Sequence, residues 1–331
     1  MRFCPSRGLH GASSPPHLPL MAVAPSRTYS GTMNEPQELT LDGAALTFSG
    51  EHDCLYQGSG VGIVRWNCAG GRRELSDETR QPWHVVSFIH SGAFVIRAAG
   101  RSAVVDATSV LLHNPGDPYR SEHPFGCCDR GSAIAVSRGL LLDVMAFHDP
   151  TAAERPHALF RQTHAHGFSR AHLLQRTLIR GLQGGLARSE PLAVETAVLE
   201  LLGEVAAGCS RRSGRAAPRQ ASSRVRRDYV QDAKALIQRR FREPLGLADV
   251  ARALYVSTYH LCRLFKEETG LPIHRYLNRL RLREALERVA EGGDELTEIA
   301  LSVGFSCHSH FTRAFRREFG VPPSEVRRPA A

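Results

Sequence analysis

The N-terminal half of the chain alternates between apolar and polar residues with the two-residue period of half-buried β-strands. The runs are short, rich in β-branched and aromatic residues, and separated by Gly, Pro and Asp. The predicted strands are Val61–Trp66, Trp83–His90, Ala93–Ala98, Ala103–Val105 and Val110–His113. Ser91-Gly92 joins two of them as a predicted tight hairpin. Many short strands at this spacing predict a small antiparallel β-barrel or sandwich.

The period becomes helical between Arg170 and Gly208. Leucine-rich stripes lie on either side of Ser189-Glu-Pro191, a segment that ends one helix and begins the next with Ser189 as its N-cap. Two such helices predict a helical hairpin. This hairpin either covers the barrel or also supports a homodimer, and the sequence leaves both interpretations open.

The two ends of the barrel-and-hairpin region have the composition of connecting segments. Residues 209–226 are rich in Arg, Ser, Ala and Gly without an apolar period, which predicts an interdomain linker. The linker separates an N-terminal domain at 39–208 from a C-terminal domain at 227–328. Residues 1–32 lack the apolar core of a secretory signal. Their composition predicts either a disordered tail or sequence upstream of a start at Met33.

The C-terminal domain has a helical period throughout. The predicted helices are an amphipathic segment from Tyr229 to Phe241, Leu247–Leu254, Thr258–Glu268 and Ile273–Ala290. Ser257 is the predicted N-cap of the third helix, and Gly270 ends it.

The stretch Leu296–Pro323 predicts two further helices around a tight turn. Gly304 provides the turn, since Gly adopts positive φ without steric cost, and Ser306 is the predicted N-cap of the second helix. In that helix an apolar stripe recurs every four residues at Phe311, Phe315 and Phe319. The opposite face carries hydrogen-bond donors at His308, Ser309, Thr312, Arg313, Arg316 and Arg317. A short helix with an aromatic root and a donor-rich face suits the DNA major groove.

The helix pair at Leu247–Gly270 resembles the pair at Leu296–Gly320, about 50 residues further along. Leu247-x-x-Val-Ala matches Leu296-x-x-Ile-Ala, and Gly270-x-Pro matches Gly320-x-Pro. The domain is therefore a predicted duplication with the long helix Ile273–Ala290 as spacer. Two helix-turn-helix units on one chain can read two major-groove segments roughly 34 Å apart.

Residues from about Tyr229 to Arg327 closely resemble the DNA-binding domain of AraC/XylS-type transcriptional regulators. The motifs that carry the resemblance are Leu247-Ala-Asp-Val-Ala251, Leu261-Cys-Arg-Leu-Phe-Lys-Glu-Glu-Thr-Gly270, Ile299-Ala-Leu-Ser-Val-Gly-Phe305 and Phe311-Thr-Arg-Ala-Phe-Arg-Arg-Glu-Phe-Gly-Val-Pro-Pro323. The resemblance implies promoter DNA and RNA polymerase as partners, an activator in a bacterial cytoplasm, and a homodimer. It also implies that the N-terminal domain is a cupin-like sensor of a small-molecule effector.

The resemblance also implies which side chains contact DNA. Base-edge readers are expected on both recognition helices, at Tyr259, Cys262, Arg263, His308, Ser309, Thr312 and Arg313. Arg263 and Arg313 are favoured because guanidinium pairs bidentately with guanine. Cys262 departs from the longer polar group common in the family. Phosphate contacts are expected at Lys266, Arg316 and Arg317.

A small ligand in the N-terminal domain would need a lined pocket. The candidate lining residues are Trp66, Trp83, Phe88, Phe94 and Tyr119, with Arg97, Arg120 or His84 as polar readers. The alternative is that these aromatic residues are ordinary barrel core.

Charge and cysteine content narrow the function classes. A net charge of +9 favours an anionic partner such as nucleic acid. The eight Cys include no CxxC pair, and His84 and His90 are isolated from other potential ligands. Because these residues lack the spacing of metal ligands, no metal or cofactor is expected. No apolar run reaches membrane-spanning length. The alternatives from another class are a cupin-type metalloenzyme, or a thiol or metal sensor built on Cys127-Cys128, with an attached DNA-binding domain.

Overall fold

The computed structural model describes residues 40–41, 44–45, 51–58, 60–68, 75–125, 129–189, 191–213 and 223–327. The predicted tail at 1–32, Met33 and the Cys127-Cys128 pair lie outside the described residues. The N-terminal domain is built on antiparallel sheets with packed helices, and the C-terminal domain is entirely helical, so the predicted multidomain α+β fold class is confirmed.

Antiparallel strands make up the first half of the described chain. They are β1 (Thr40–Leu41), β2 (Ala44–Ala45), β3 (Glu51–Gly58), β4 (Val61–Cys68), β5 (Thr79–Arg80), β6 (His84–Ser91), β7 (Ala93–Ala98), β8 (Arg101–Asp106), β9 (Ser109–His113), β10 (Pro118–Glu122), β11 (Asp129–Val136) and β12 (His164–His166). A six-stranded sheet has the order β12-β9-β6-β11-β4-β3, and a four-stranded sheet has the order β5-β10-β7-β8.

Helices make up most of the chain after β11, and the first of them precedes the last strand, β12. They are α1 (Arg138–His148), α2 (Ser169–Gln183), α3 (Leu186–Ser189), α4 (Pro191–Ser213), α5 (Ser223–Arg240), α6 (Leu247–Ala253), α7 (Thr258–Thr269), α8 (Ile273–Glu291), α9 (Leu296–Ser302), α10 (His308–Phe319) and α11 (Pro323–Arg327). None of those in the described residues has the length and apolar composition that a membrane span requires.

The predicted hairpin at Ser91-Gly92 is wrong. β6 pairs with β9 and β11 in the larger sheet, whereas β7 pairs with β8 and β10 in the smaller one. Gly92 is the only residue between β6 and β7, and its φ of 80° lets the chain turn from one sheet into the other. A one-residue connection is too short for the two-residue loop of a tight hairpin.

The two faces of the six-stranded sheet have different partners. Helices α1, α2 and α4 cover one face, where Ile63, Val86 and Phe88 join their apolar residues in one core. The predicted helical hairpin therefore covers the sheet. The other face, which includes Val85 and Leu111, is turned toward the four-stranded sheet. The space between the two sheets contains the cavity described below.

The C-terminal domain has two cores that share one helix. The first half of α8, including Tyr276 and Leu280, packs into the core of α5, α6 and α7. Its second half, including Leu286 and Val289, packs with α9 and α10. The predicted duplicated unit with a long spacer helix is thus present in the structure, and the spacer is a structural part of both copies.

The caps of the two recognition helices differ. The Ser257 side chain caps α7 by accepting a hydrogen bond from the backbone N–H of His260 at 3.2 Å, as predicted. The prediction of Ser306 as the cap of α10 is wrong. The N-cap is instead Cys307, because the turn of the second unit is one residue longer than that of the first. The Cys307 side chain makes no cap hydrogen bond.

Helices extend into both ends of the predicted linker 209–226. α4 continues to Ser213, and α5 begins at Ser223. The central residues 214–222 lie outside the described residues. The domain boundaries stay a prediction.

Candidate nucleic-acid interface and inner cavity

The recognition helix α10 has a buried aromatic side and an exposed polar side. Phe311, Phe315 and Phe319 are buried and pack against one another in succession, with ring centroids 5.5 and 4.5 Å apart. This aromatic root fixes the rotation of the helix about its axis, because turning it would expose three rings to water. The polar face is therefore held outward by the core and not by contacts of its own.

The outward face of α10 carries the predicted DNA contacts. Ser309, Arg313, Arg316 and Arg317 are exposed, and His308 and Thr312 are half-buried. His308 Nε2 lies 3.3 Å from Thr312 Oγ1, one helical turn away. Within the described residues, Arg313, Arg316 and Arg317 make no ion pair. These guanidinium groups are available to an incoming anion.

The corresponding face of α7 is less free. Cys262 is half-buried, and Arg263 and Lys266 are exposed. The Arg263 Nε lies 3.6 Å from Glu267 Oε1, so a nearby carboxylate competes with any DNA partner. Such an exposed ion pair is weak and would yield to a phosphate or a guanine. Tyr259 belongs to α7, but its side chain lies outside the described part of the chain.

The N-terminal domain contacts the recognition helix directly at Glu318, on α10. Its carboxylate accepts hydrogen bonds from Ser169 of α2 at 2.5 Å and from Arg279 of α8 at 2.6 Å. Arg283 of α8 lies 3.3 Å from the same oxygen. Burial opposes ionisation of Glu318, but these two arginines and Ser169 lower its pKa. Glu318 thus joins α2, α8 and α10 in one charged contact.

A second interdomain contact is centred on Glu287 of α8. Arg176 of α2 lies 3.0 Å and His90 of β6 lies 3.4 Å from the same Glu287 oxygen. Burial opposes ionisation of Glu287, but His90 and Arg176 favour it and lower its pKa to about 2. Burial lowers the pKa of His90, and the neighbouring Glu287 opposes this shift. Gln175 of α2 holds the ring from its other side, at 2.9 Å.

A third interdomain contact surrounds Asp106, at the end of β8. The buried Tyr276 hydroxyl of α8 donates to Asp106, whose other carboxylate oxygen accepts from the backbone N–H of Thr108 at 2.8 Å. Nearby, the Lys234 ammonium of α5 donates to His166 Nε2 at 2.9 Å. Burial lowers the pKa of Lys234 despite the proximity of Asp106. Buried polar groups on the two sides of the interface are therefore each other's hydrogen-bond partners.

A cavity lies between the two sheets of the N-terminal domain. Trp66 and Ser87 line it from the six-stranded sheet, and Phe94 and Tyr119 line it from the four-stranded sheet. Its volume of about 80 Å³ is room for several water molecules or a small ligand. His113 stacks on Tyr119 with ring centroids 4.4 Å apart, and burial lowers its pKa to about 4.

The structure brings three of the five candidate pocket residues to this cavity, namely Trp66, Phe94 and Tyr119. His84 and Phe88 lie on the opposite face of β6, where His84 contacts Phe160 of the segment before β12 and Phe88 contacts His172 of α2. Side chains alternate along a strand, so Val85 and Ser87 face the cavity instead.

The proposed polar readers Arg97 and Arg120 are cross-strand neighbours on the four-stranded sheet. Both side chains are exposed, and neither residue lines the cavity. The polar residues Cys68, His123 and Asp129 also line the cavity, and they were not among the residues predicted for it.

Comparison with known proteins supports the interpretation of the C-terminal domain. Residues 250–329 match a family model described as a helix-turn-helix domain. The chain is 41% identical over 93 residues to the HTH-type transcriptional activator RhaS of Escherichia fergusonii, covering 28% of this chain and 34% of that one. It is 33% identical over 150 residues to RhaS of Pectobacterium atrosepticum, covering 44% and 51%.

A solved AraC-type regulator structure from Chromobacterium violaceum matches 30% of this chain and 90% of its own, at 32% identity and a TM-score of 0.30. The chain spans between a third and about half of the length of the two curated relatives. The C-terminal domain is thus a helix-turn-helix domain. Its motifs resemble those of AraC-type regulators, and the relatives that it matches are HTH-type transcriptional activators.

Proposed function

We propose that this protein is a sequence-specific DNA-binding transcriptional regulator, and that it activates transcription in response to a small-molecule effector. The exposed, donor-bearing face of α10 carries the proposal, because it presents Ser309 and Arg313 beyond a buried aromatic root. The similarity to HTH-type transcriptional activators supports the same role. Under this proposal the partners are promoter DNA and RNA polymerase in a bacterial cytoplasm, and the role is regulatory, not catalytic.

Base readout is assigned to Tyr259, Cys262 and Arg263 of α7 and to the corresponding part of α10. On α10 the readers are His308, Ser309, Thr312 and Arg313. Lys266, Arg316 and Arg317 contact phosphates, which position the protein without specifying sequence.

The interdomain contacts support a route from effector to DNA. β6 carries Ser87 on its cavity face and His90 at the Glu287 contact, so one strand touches both the cavity and α8. An effector that binds the cavity in only one arrangement of the two domains would shift the population toward that arrangement. The contact of Ser169 with Glu318 extends this coupling to α10 itself.

The homodimer is also a proposal. Leu199 of α4 is a large apolar side chain that is 44% exposed in the single chain. A partner copy that covers this helix would remove it from water. Sedimentation of the wild type and of Leu199→Asp tests this assignment, because the substitution should shift the equilibrium toward monomer.

The DNA-binding proposal is tested by mapping bound sites across the source genome and footprinting one promoter. Arg313→Ala should abolish the footprint at a protein concentration that gives full protection with the wild type. Arg101→Ala removes the same charge from an exposed position in the N-terminal sheet and should leave the footprint intact. Equal affinity of the wild type for promoter and random DNA would contradict sequence-specific binding.

A further inference from the structure

Three potential metal ligands converge at one end of the inner cavity. Cys68 ends β4, Asp129 begins β11, and the two residues are direct cross-strand partners. His123 follows β10 and reaches the same point from the four-stranded sheet. Their thiol, imidazole and carboxylate ligand atoms lie within 4.8 Å of one another.

The geometry of His123 and Asp129 is not that of a simple hydrogen-bonded pair. His123 Nε2 lies 2.9 Å from Asp129 Oδ1, yet this oxygen is buried and has no hydrogen-bond partner among the described residues. The two atoms are close without the N–H pointing at the oxygen. A short approach of two potential ligand atoms without a hydrogen bond between them is expected when both bind the same ion.

The surroundings hold the two ligands in place. The Trp66 indole N–H donates to the other carboxylate oxygen, Asp129 Oδ2, at 3.4 Å, which orients Oδ1 toward His123. The His123 ring packs against Phe94 with ring centroids 5.4 Å apart. Hydrogen-bonded carboxylates and packed imidazoles are the usual outer support of metal ligands.

Charge balance favours a divalent cation at this position. The Asp129 carboxylate is only 3% exposed, and an isolated buried carboxylate is costly. A thiolate, a carboxylate and a neutral imidazole around a divalent ion have no net charge. The mixed S, N and O donors match the preferences of Zn²⁺, whereas Mg²⁺ and Ca²⁺ prefer oxygen alone.

We propose that Cys68, His123 and Asp129 form a binding site for a divalent cation of the zinc class, with its fourth coordination position open to the cavity. Binding displaces the Cys68 thiol proton to solvent, and the metal–sulfur bond forms in its place. The open position would take a water molecule or a donor atom of a small ligand. This site is independent of the DNA-binding proposal, since metal binding is measured without DNA.

The test uses the purified full chain under reducing conditions, with Zn²⁺ and its spectroscopic substitute Co²⁺ as probes. We expect about one ion per chain and a thiolate-to-cobalt charge-transfer absorption. Cys68→Ser should abolish that absorption. Asp129→Asn keeps the shape of the side chain, and it should weaken Zn²⁺ binding by more than about tenfold, measured by competition with a chromophoric chelator.

Two controls separate this site from the other cysteines. Cys54→Ser removes a half-buried thiol elsewhere in the same domain and should leave Co²⁺ absorption and Zn²⁺ affinity unchanged. The double variant Cys127→Ser, Cys128→Ser should also retain both. Loss of binding in that double variant alone would overturn the assignment, as would unchanged affinity in Asp129→Asn or no bound ion in the wild type. Thermal unfolding checks that each variant is folded. If Cys68→Ser is unfolded, the Zn²⁺ affinity of Asp129→Asn decides whether the site exists.

Discussion

The Tyr276 hydroxyl of the C-terminal domain donates a hydrogen bond to the Asp106 carboxylate of the N-terminal domain, and both residues are buried. Because both groups are buried, a water molecule cannot take the place of either hydrogen-bond partner. Burial, followed by the charge of Asp106, raises the pKa of Tyr276 well above its usual value, so the hydroxyl remains a donor at all physiological pH values.

Tyr276→Phe should therefore destabilise the protein by about 1–3 kcal/mol, because it leaves a buried carboxylate oxygen without its partner. Urea unfolding followed by fluorescence measures the change. The matched control is Tyr255→Phe, which removes a hydroxyl from a side chain that is 97% exposed and should have no effect. Equal stability of Tyr276→Phe and the wild type would contradict a structural role for the contact.

The Glu287 contact predicts a pH dependence at the domain interface. The folded-state pKa of about 2 is below the ordinary value of 4.5. A carboxylate with a lowered pKa contributes stability that is present above 4.5 and is lost as pH falls toward 2. The size of this contribution is on the order of 3 kcal/mol.

Glu287→Gln should be less stable than the wild type at pH 7, because Arg176 loses its buried counter-charge. The difference should shrink as pH falls from 4.5 toward 2. Denaturant unfolding at several pH values measures both curves. Glu154→Gln, at an exposed position that makes no ion pair within the described residues, is the control and should follow the wild-type curve. Parallel curves for Glu287→Gln and the wild type would show that Glu287 does not titrate with folding.

The two recognition helices should contribute unequally to sequence discrimination. Arg313 has no carboxylate partner in the described structure, whereas Arg263 lies beside Glu267. Arg313→Ala should therefore relax specificity at its base position by about 1–3 kcal/mol, and Arg263→Ala by less. Competition binding with single-base operator variants gives both values.

Arg317→Ala serves as the control for base readout. Loss of a phosphate contact should weaken binding equally on all sequences. It should also reduce the slope of the logarithm of the binding constant against the logarithm of salt concentration by about one. A larger loss of specificity for Arg263→Ala than for Arg313→Ala would reverse the ranking of the two units.

The turn of the second unit depends on Gly304. Its φ is 92°, and a Cβ there would lie 2.9 Å from the carbonyl oxygens of Phe241 and Arg242. Gly320, at the end of α10, has a φ of 86° and open space around it. Gly320→Ala should cost about 1–2 kcal/mol from backbone strain alone, and Gly304→Ala should cost clearly more. Thermal unfolding of both variants tests this, and equal costs would show that the carbonyl groups move aside.

The C-terminal domain was predictable because its signals are local. Ser257, Gly270 and the Phe311–Phe319 stripe each define a helix end or a buried face from a few neighbouring residues. The cavity was harder to predict. The two β6 residues proposed for the pocket, His84 and Phe88, lie on the same face of the strand, and only the packing of that face against the helices shows that Ser87 faces the cavity and Phe88 does not.

Long-range contacts carry no local signal. Tyr276 and Asp106 are 170 positions apart, and neither has a motif that points to the other. The ligands Cys68, His123 and Asp129 come from three separate segments without the spacing of a metal motif. One signal was available, since a lone Asp at the start of an apolar strand needs a partner when it is buried.

Because α8 belongs to both cores of the C-terminal domain, its length fixes the offset between the two recognition helices. Inserting one residue into an α-helix advances it by about 1.5 Å and rotates everything beyond by about 100°. Under the proposed DNA-binding role, substitutions on α7 and α10 would change which bases are read, whereas an insertion or deletion within α8 would misalign one of the two helices with its DNA segment. During evolution the operator of such a protein is free to change in sequence but not in the separation of its two contacted segments.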